Sequence, residues 1–411
     1  MFDGFRSMRR ASRAVLAAAV VAGAAIATVP MATGASASGG WSSPTLVDAG
    51  GGGLSSVSCP TAKFCVAVDG AGRAVIHKRN RTWEAPHAID TGGGGLPSVS
   101  CATTLFCVAV DASGNELDYR YGTWFRPVSV DPGVALDSVS CLKSRFCIAV
   151  DAAGDALVYD GFAWSSPATV DSGVAIDAIS CPTVTLCVAV DHNGNALNFN
   201  GTSWSGATGV DSGHPLTAVS CATASRCVAV DGSGSAFSYD GTGWSGATSV
   251  DPGHSLTAVS CAPASLCVAV DGSGSAFSYD GTGWSGATSI DSGNALGAVS
   301  CPTVYFCVAV DGAGNALTFP PPVEITTTSL PGGTVGHTYS SGFAATGGNP
   351  PYKWFAGLPK GLKLDRSTGA ISGVPRRAGT FTVTARVFDQ KIRTKFPTQD
   401  HATKVLSITI S

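Results

Sequence analysis

Charge is scarce in this chain. Lys, Arg, Asp and Glu make up 13% of its 411 residues, and the net charge is −3. A low, slightly acidic charge argues against a nucleic-acid-binding protein, which carries a basic footprint. Past Pro30 no apolar stretch is long enough to span a membrane. Catalytic signatures are missing as well: there is no G-x-S-x-G, no H-E-x-x-H and no phosphate loop. No D-x-D-x-D-G calcium loop occurs, so no cofactor is expected and calcium has only a weak signal. Large apolar side chains are few across the middle of the chain, where Ala, Ser, Thr, Gly and Val dominate and each buries little area.

What the chain does have is repetition. The stretch Leu256 to Asp291 recurs seven times, marked by seven C-x5-C pairs. These are Cys59 and Cys65, Cys101 and Cys107, Cys141 and Cys147, Cys181 and Cys187, Cys221 and Cys227, Cys261 and Cys267, and Cys301 and Cys307. The first step is 42 residues and the other five are 40. A period near 40 indicates stacked units that bury one another's faces. Each copy reads as four short strands, here Leu256 to Cys261, Cys267 to Asp271, Ser275 to Tyr279 and Trp284 to Asp291. Asp-Gly turns separate them, and none has helical periodicity over ten residues. Four strands per repeat is a propeller blade. The seventh copy ends at Phe319 without its Trp strand, while an unmatched Trp strand, Trp41 to Asp48, precedes the first copy. The expected fold is therefore all-β: a seven-bladed β-propeller whose last blade is closed by the N-terminal strand. The alternative is an open stack of β-meanders.

Residues 1–37 read as a secretory signal peptide, with Arg6, Arg9, Arg10 and Arg13, then an apolar run, then Ala35-Ser36-Ala37 at the cleavage site. Export to an oxidising compartment suits fourteen cysteines at a fixed spacing. The two Cys of each pair face each other at the base of a short hairpin, which predicts seven local disulfides. Metal binding is the rival, but zinc needs four ligands and the seven His follow no blade period.

Two sets of repeated residues are candidates for ligand contact. The first is the tryptophans of the later blades, Trp164, Trp204, Trp244 and Trp284, which either pack between blades or stack on sugar. The second is the aspartates that end the second strands, Asp191, Asp231, Asp271 and Asp311. With those ending the fourth strands they place fourteen carboxylates on one face. That face is either turn chemistry or an acidic rim for a cation or hydroxyls. The blades are not equal: nine of the ten Lys/Arg between residues 38 and 321 precede position 146, and 228–249 is identical to 268–289.

The expected divisions are a propeller over 38–319, a Pro linker at 320–322 and an Ig-like β-sandwich over 323–411. The last segment has no Cys, short alternating strands and Gly/Pro turns. Its L-P-K-G-L-K-L-D-R-S-T-G-A-I-S-G-V-P at 358–375, followed by A-G-T-F-T-V-T-A-R-V-F-D, resembles the Ig-like, cadherin-like domains of bacterial surface and secreted proteins. That resemblance implies a spacer or adhesion module without catalytic residues. The repeats, as in V-D-G-S-G-S-A-F-S-Y-D-G-T-G-W-S-G-A-T-S-V-D-P-G at 230–253, resemble tectonin-like repeats and bacterial seven-bladed propeller lectins. Those lectins imply sugar sites at blade junctions. This chain differs in having a C-x5-C in every blade and no second Trp in the fourth strand.

Residues 322–411 hold eleven Lys/Arg against four acids, and the ring holds ten against 23, so the two parts carry +7 and −13. The expected function is a secreted or cell-wall-associated binding protein, multivalent and monomeric, whose partner is an extracellular glycan or cell-wall polymer. Repetition favours it, because near-equal sites give avidity even when each is weak. A polysaccharide-acting hydrolase or lyase is the alternative; it needs asymmetry, and Glu84, Glu116, Asp118, Asp137, Asp155 and Asp177 depart from the repeat without a His or Tyr constellation nearby. A passive wall scaffold is the third reading.

Overall fold

The computed structural model describes residues 40–78, 82–92, 94–262, 266–320, 323–348, 351–389 and 401–411. The expected signal segment, and Pro321 and Pro322 of the expected linker, lie outside the described residues. Every regular element among the described residues is a β-strand.

Seven antiparallel sheets correspond to the seven repeats. In the third, strand a is Leu136–Lys143, strand b Phe146–Asp151, strand c Asp155–Tyr159 and strand d Ala168–Thr169. Strand d is weaker than the eight residues expected from sequence. It survives as a two-residue strand plus an isolated bridge at the Trp, as between Tyr159 and Trp164. The cause is local: Pro44, Pro86, Pro127 and Pro167 lie three residues past the Trp in four copies, and Gly206, Gly246 and Gly286 lie two past it in the others. Neither residue sustains a ladder, and both blunt an exposed edge.

The last blade contains Leu296–Thr303, Phe306–Asp311 and Asn315–Phe319, and its fourth strand is the N-terminal Thr45–Leu46. Thr45 lies opposite Ala316 and Leu46 opposite Asn315. The Ser42 amide donates to the Thr318 carbonyl at 2.8 Å, and the Trp41 ring is 5.7 Å from that of Phe319. The ring is thus closed by its own beginning.

Why the blades are built of small residues follows from burial. Val188, Ala189 and Val190 of strand b are all 0% exposed, because this strand has a neighbour on each side in its sheet and a blade against each face. The run V-A-V therefore replaces the polar–apolar alternation of a one-sided sheet. Each core is shared across a junction: Val188, Val190 and Ala196 of one blade pack on Leu216, Val219 and Phe237 of the next.

A second ring of contacts explains the Ser before every first Cys. Strand a is the inner edge of its sheet, so its outward N–H groups have no ladder partner. The hydroxyl of the preceding blade's Ser accepts instead. Cys101 N–H bonds Ser58 Oγ at 2.9 Å, Cys141 bonds Ser100, Cys181 bonds Ser140, Cys221 bonds Ser180, Cys261 bonds Ser220 and Cys301 bonds Ser260. Cys59 N–H to Ser300 Oγ, at 3.0 Å, completes the circle. Each such bond contributes about 1 kcal/mol.

All seven expected disulfides are present, each within its own blade. Cys59 is bonded to Cys65, Cys101 to Cys107, Cys141 to Cys147 and Cys181 to Cys187. Cys221 is bonded to Cys227, Cys261 to Cys267 and Cys301 to Cys307. Their Cα atoms are 3.9 to 4.1 Å apart. In the ladder Cys141 lies opposite Cys147, and Cys221 opposite Cys227, as strand-to-strand facing requires. The second Cys of each pair opens strand b and is the more deeply enclosed: Cys65, Cys107, Cys187, Cys227 and Cys307 are all 0% exposed. The cysteines are therefore spent on structure, and the rival metal-binding reading has no thiol left to use.

The C-terminal part is an Ig-like sandwich. One sheet joins Lys353–Ala356, Gly379–Phe388 and His401–Ile410; another joins Tyr339–Gly342, Ala370–Gly373 and Leu362–Leu364. Alternation is clean here: Val383, Ala385 and Val387 point inward and are 0% exposed. They meet Trp354, Phe343, Ile371 and Ile408 in a core of large side chains.

Candidate functional site

The aspartates ending strand b form the first element of the site expected from sequence. Asp191 Oδ1 accepts from the amides of Asn193 and Asn195 at 2.9 and 2.7 Å, and Oδ2 accepts from Asn195 Nδ2 at 2.7 Å. Asp311 repeats this with Ala313 and Asn315. In Asp231 and Asp271 the side-chain donor is Ser233 or Ser273. Burial alone would raise the carboxyls of Asp231, Asp271 and Asp311. In Asp231 the Ser233 hydroxyl, the Ser235 amide and a bond from Asp211 outweigh it and hold the group below its ordinary value. The turn needs glycine at its fourth position: Gly194 has φ +82°, and a Cβ there would sit 1.8 Å from the Asp211 carbonyl oxygen.

These contacts correct one expectation. Asp191, Asp231, Asp271 and Asp311 are at most 1% exposed and their oxygens serve the turn, so they do not reach a ligand. The expected acidic rim is largely enclosed as well, with Asp171, Asp211 and Asp251 keeping partial exposure. Asp48, Asp90, Asp131 and Asp291 at the ends of strand d are also buried. Blade docking turns these carboxylates into the junctions instead of leaving them on a face.

The tryptophans lie at the blade junctions on the outer side. Trp164, Trp204, Trp244 and Trp284 are half-buried, each 5.4 Å from the aromatic of its own strand c: Tyr159, Phe199, Tyr239 and Tyr279. Each is also packed against the apolar cluster of its junction, which for Trp164 holds Phe106, Val108 and Val110 of the blade before together with Cys147, Ala149 and Tyr159 of its own. Packing between blades is thus their structural role. A cleft opens beside the same ring elsewhere. Between the first and second blades a cavity of about 350 Å³ is lined by Trp124, Thr123, Lys78, Glu84 and His87. Lys78 Nζ is 2.9 Å from Glu84 Oε1, and the Trp124 indole N–H has no partner. The corresponding junction of the seventh and first blades holds about 120 Å³ beside Trp83.

At the next junction the repeat is broken by charge. Strand c of the second blade is Asn115–Arg120, where Glu116 stands in the place of Ala156, Ala196, Ala236, Ala276 and Ala316. Glu116 is 6% exposed, and burial, with Asp118 nearby, pushes its carboxyl up to about 8. Arg120 pairs with Asp118 and its Nη2 bonds Tyr159 Oη of the third blade at 3.0 Å. Glu116 and Asp118 stand out in the sequence, but the Tyr159 hydroxyl that meets Arg120 does not. Tyr159 is forty residues away and arrives only when blades dock. His192 reaches Asp177 within the fourth blade, Nδ1 to Oδ2 at 3.1 Å. No group of three or more His, Cys, Asp or Glu among the described residues is arranged to hold a metal ion.

Comparison with known proteins places both parts of the fold. Residues 320–410 match the family model He_PIG, described as "Putative Ig domain". The propeller is similar to YCF48 from Cyanidioschyzon merolae, at 14% identity and TM-score 0.53, over 68% of this chain and 98% of that one. It is also similar to YCF48 bound to D1 peptide, at 12% identity and TM-score 0.57, over 68% and 96% of the two chains. The WD40 β-propeller domain of Doa1 matches at 9% identity and TM-score 0.57, over 68% and 97%. Identities this low establish the fold alone. No curated protein matches this chain. The chain is therefore a β-propeller joined to an Ig-like domain, an architecture compatible with binding or adhesion.

Proposed function

We propose that this is an exported, non-enzymatic binding protein that takes an extracellular glycan or cell-wall polymer at its blade junctions. The observation that carries the reading is the repeated tryptophan beside a junction, which at the first and second blades walls a cleft with a Lys–Glu pair and His87. An aromatic face flanked by a few polar groups is what a sugar ring, apolar on one face and hydroxylated at its edge, requires. Seven disulfides fit an oxidising compartment, and no helix among the described residues is long and apolar enough to cross a membrane. A glycan array followed by calorimetry tests the proposal. Saturable binding that falls at least tenfold in Trp124→Ala, with the disulfides intact, supports it. Silence on the array rejects it.

A second reading, a polysaccharide-acting hydrolase, has one observation behind it. Glu116, pushed up to about 8, stays protonated at neutral pH beside Asp118, so a proton donor and a carboxylate share one junction. Release of reducing ends, abolished in Glu116→Gln, would favour that reading over simple binding.

A further inference from the structure

Carboxylates meet in pairs around the ring, always across a junction. The Asp ending strand d of one blade lies within hydrogen-bonding reach of the Asp ending strand b of the next: Asp131 with Asp151, Asp171 with Asp191, Asp211 with Asp231, Asp251 with Asp271 and Asp291 with Asp311. Ionised carboxylates only accept, so two of them at this distance repel and leave oxygens unbonded. Such oxygens are present: Oδ2 of Asp131, Asp151, Asp171 and Asp291 is enclosed and has no partner. Asp131 is 6% exposed, Asp291 4% and Asp151 0%.

The junction of the seventh and first blades shows what the others lack. There the pair is Asp48 and Asp69, and Arg73 reaches both: its Nε is 2.7 Å from Asp69 Oδ2, and its Nη2 pairs with Asp48. Arg73 lies four residues past the strand b Asp. In the five junctions above, that position holds Asp155, Asn195, Ser235, Ser275 and Asn315, none of them a cation.

We propose that the Asp131–Asp151, Asp171–Asp191 and Asp291–Asp311 pairs, where such oxygens are enclosed, are proton-binding sites, one proton shared between two carboxyls in each, and that Arg73 takes the proton's place at the junction holding the closing strand. The shared proton supplies the missing donor and removes one charge from a buried site. It also couples the tightness of three junctions to pH, while the Asp48–Asp69 pair is held by a guanidinium that does not titrate.

The surroundings set the direction. Asp155 and Asp137 face the Asp131–Asp151 pair; Asp177, with His192, faces Asp171–Asp191; His214 stands by Asp211 and His254 by Asp251; only Asn294 stands by Asp291. Burial and the facing carboxylate push Asp131 and Asp171 up to about 6 from an ordinary 3.8. A raised value means the fold holds the proton more tightly than the unfolded chain does. Its stabilisation is fully present below about pH 4 and is lost as pH rises through about 6.

Thermal unfolding of the purified protein at pH 5 and pH 8 tests this. The midpoint should fall between the two. Asp131→Asn and Asp171→Asn, which carry a permanent donor, should each raise the midpoint at pH 8 by on the order of 2 °C and change it little at pH 5. Arg73→Met should steepen the fall. The infrared spectrum gives a second readout, taken on Glu116→Gln so that the other raised carboxyl is silent: a protonated-carboxyl band at pH 5 that is lost by pH 8 and is weaker when Asp131→Asn is added. A midpoint that is level or rises from pH 5 to pH 8, a fall that both Asn variants leave intact, or absence of the band would overturn the proposal. So would millimolar calcium restoring the pH 5 midpoint at pH 8 in the unaltered protein and not in Asp131→Asn, because the pairs would then hold a metal ion.

Discussion

The ring and the sandwich are both antiparallel β-structures, yet they are held together differently. The sandwich has one core of large side chains, Trp354, Phe343, Ile371, Val383 and Ile408, and no cysteine. The ring divides its apolar contacts among seven junctions, filled mostly by Val, Ala and Leu, and adds a disulfide to every blade. The reason is geometric. A sandwich encloses a single interior, where area adds up. Blades converge on an axis, where only small residues fit. Each short bridge is worth about 2 kcal/mol in the chain-entropy model, and seven together rival the whole stability of an ordinary domain, about 5–15 kcal/mol.

The sharpest way to break this comparison is reduction. With a strong reductant, hydrogen exchange followed by mass spectrometry should show the ring losing protection cooperatively while Gly379–Phe388 and His401–Ile410 keep theirs. Equal loss in both parts would mean that the bridges are not what distinguishes the ring. The reverse experiment removes one core side chain. Ile371, 0% exposed, cut to Ala should cost the sandwich about 2–5 kcal/mol and leave the ring's denaturant midpoint unmoved. A smaller effect sharpens the picture within the ring. Ser140→Ala leaves the Cys181 amide without its acceptor and should cost about 1–2 kcal/mol, with all seven disulfides still formed by non-reducing mass spectrometry. A neutral result would reduce the serine circle to a consequence of docking.

Much of the ring was legible because its signals are local and repeated. Cysteines with five residues between them announce a hairpin, Asp-Gly announces a turn, and a missing strand at one end with a spare at the other announces closure. Strand d was overread because Trp marks its start clearly, while the Pro or Gly just after it interrupts the ladder. The candidate site was less legible. Asp191 reads equally as a surface ligand and as a turn residue until the next blade covers it. Glu116 stood out as a departure from the repeat, but Tyr159, which meets its neighbour Arg120, lies one full period away.

By itself the sequence determined the number of blades, the pairing of the cysteines, the identity of the closing strand and the Ig-like tail, since each is written in spacing along the chain. Only the tertiary structure decided which side chains face one another across a junction: Ser140 to the Cys181 amide, Asp131 to Asp151, and Arg73 to both Asp48 and Asp69. Ser140 and Cys181 are 41 residues apart, and Asp131 and Asp151, like Arg73 and Asp48, lie in different blades. The angle at which rigid blades dock brings them together, and no local preference of the chain encodes that angle.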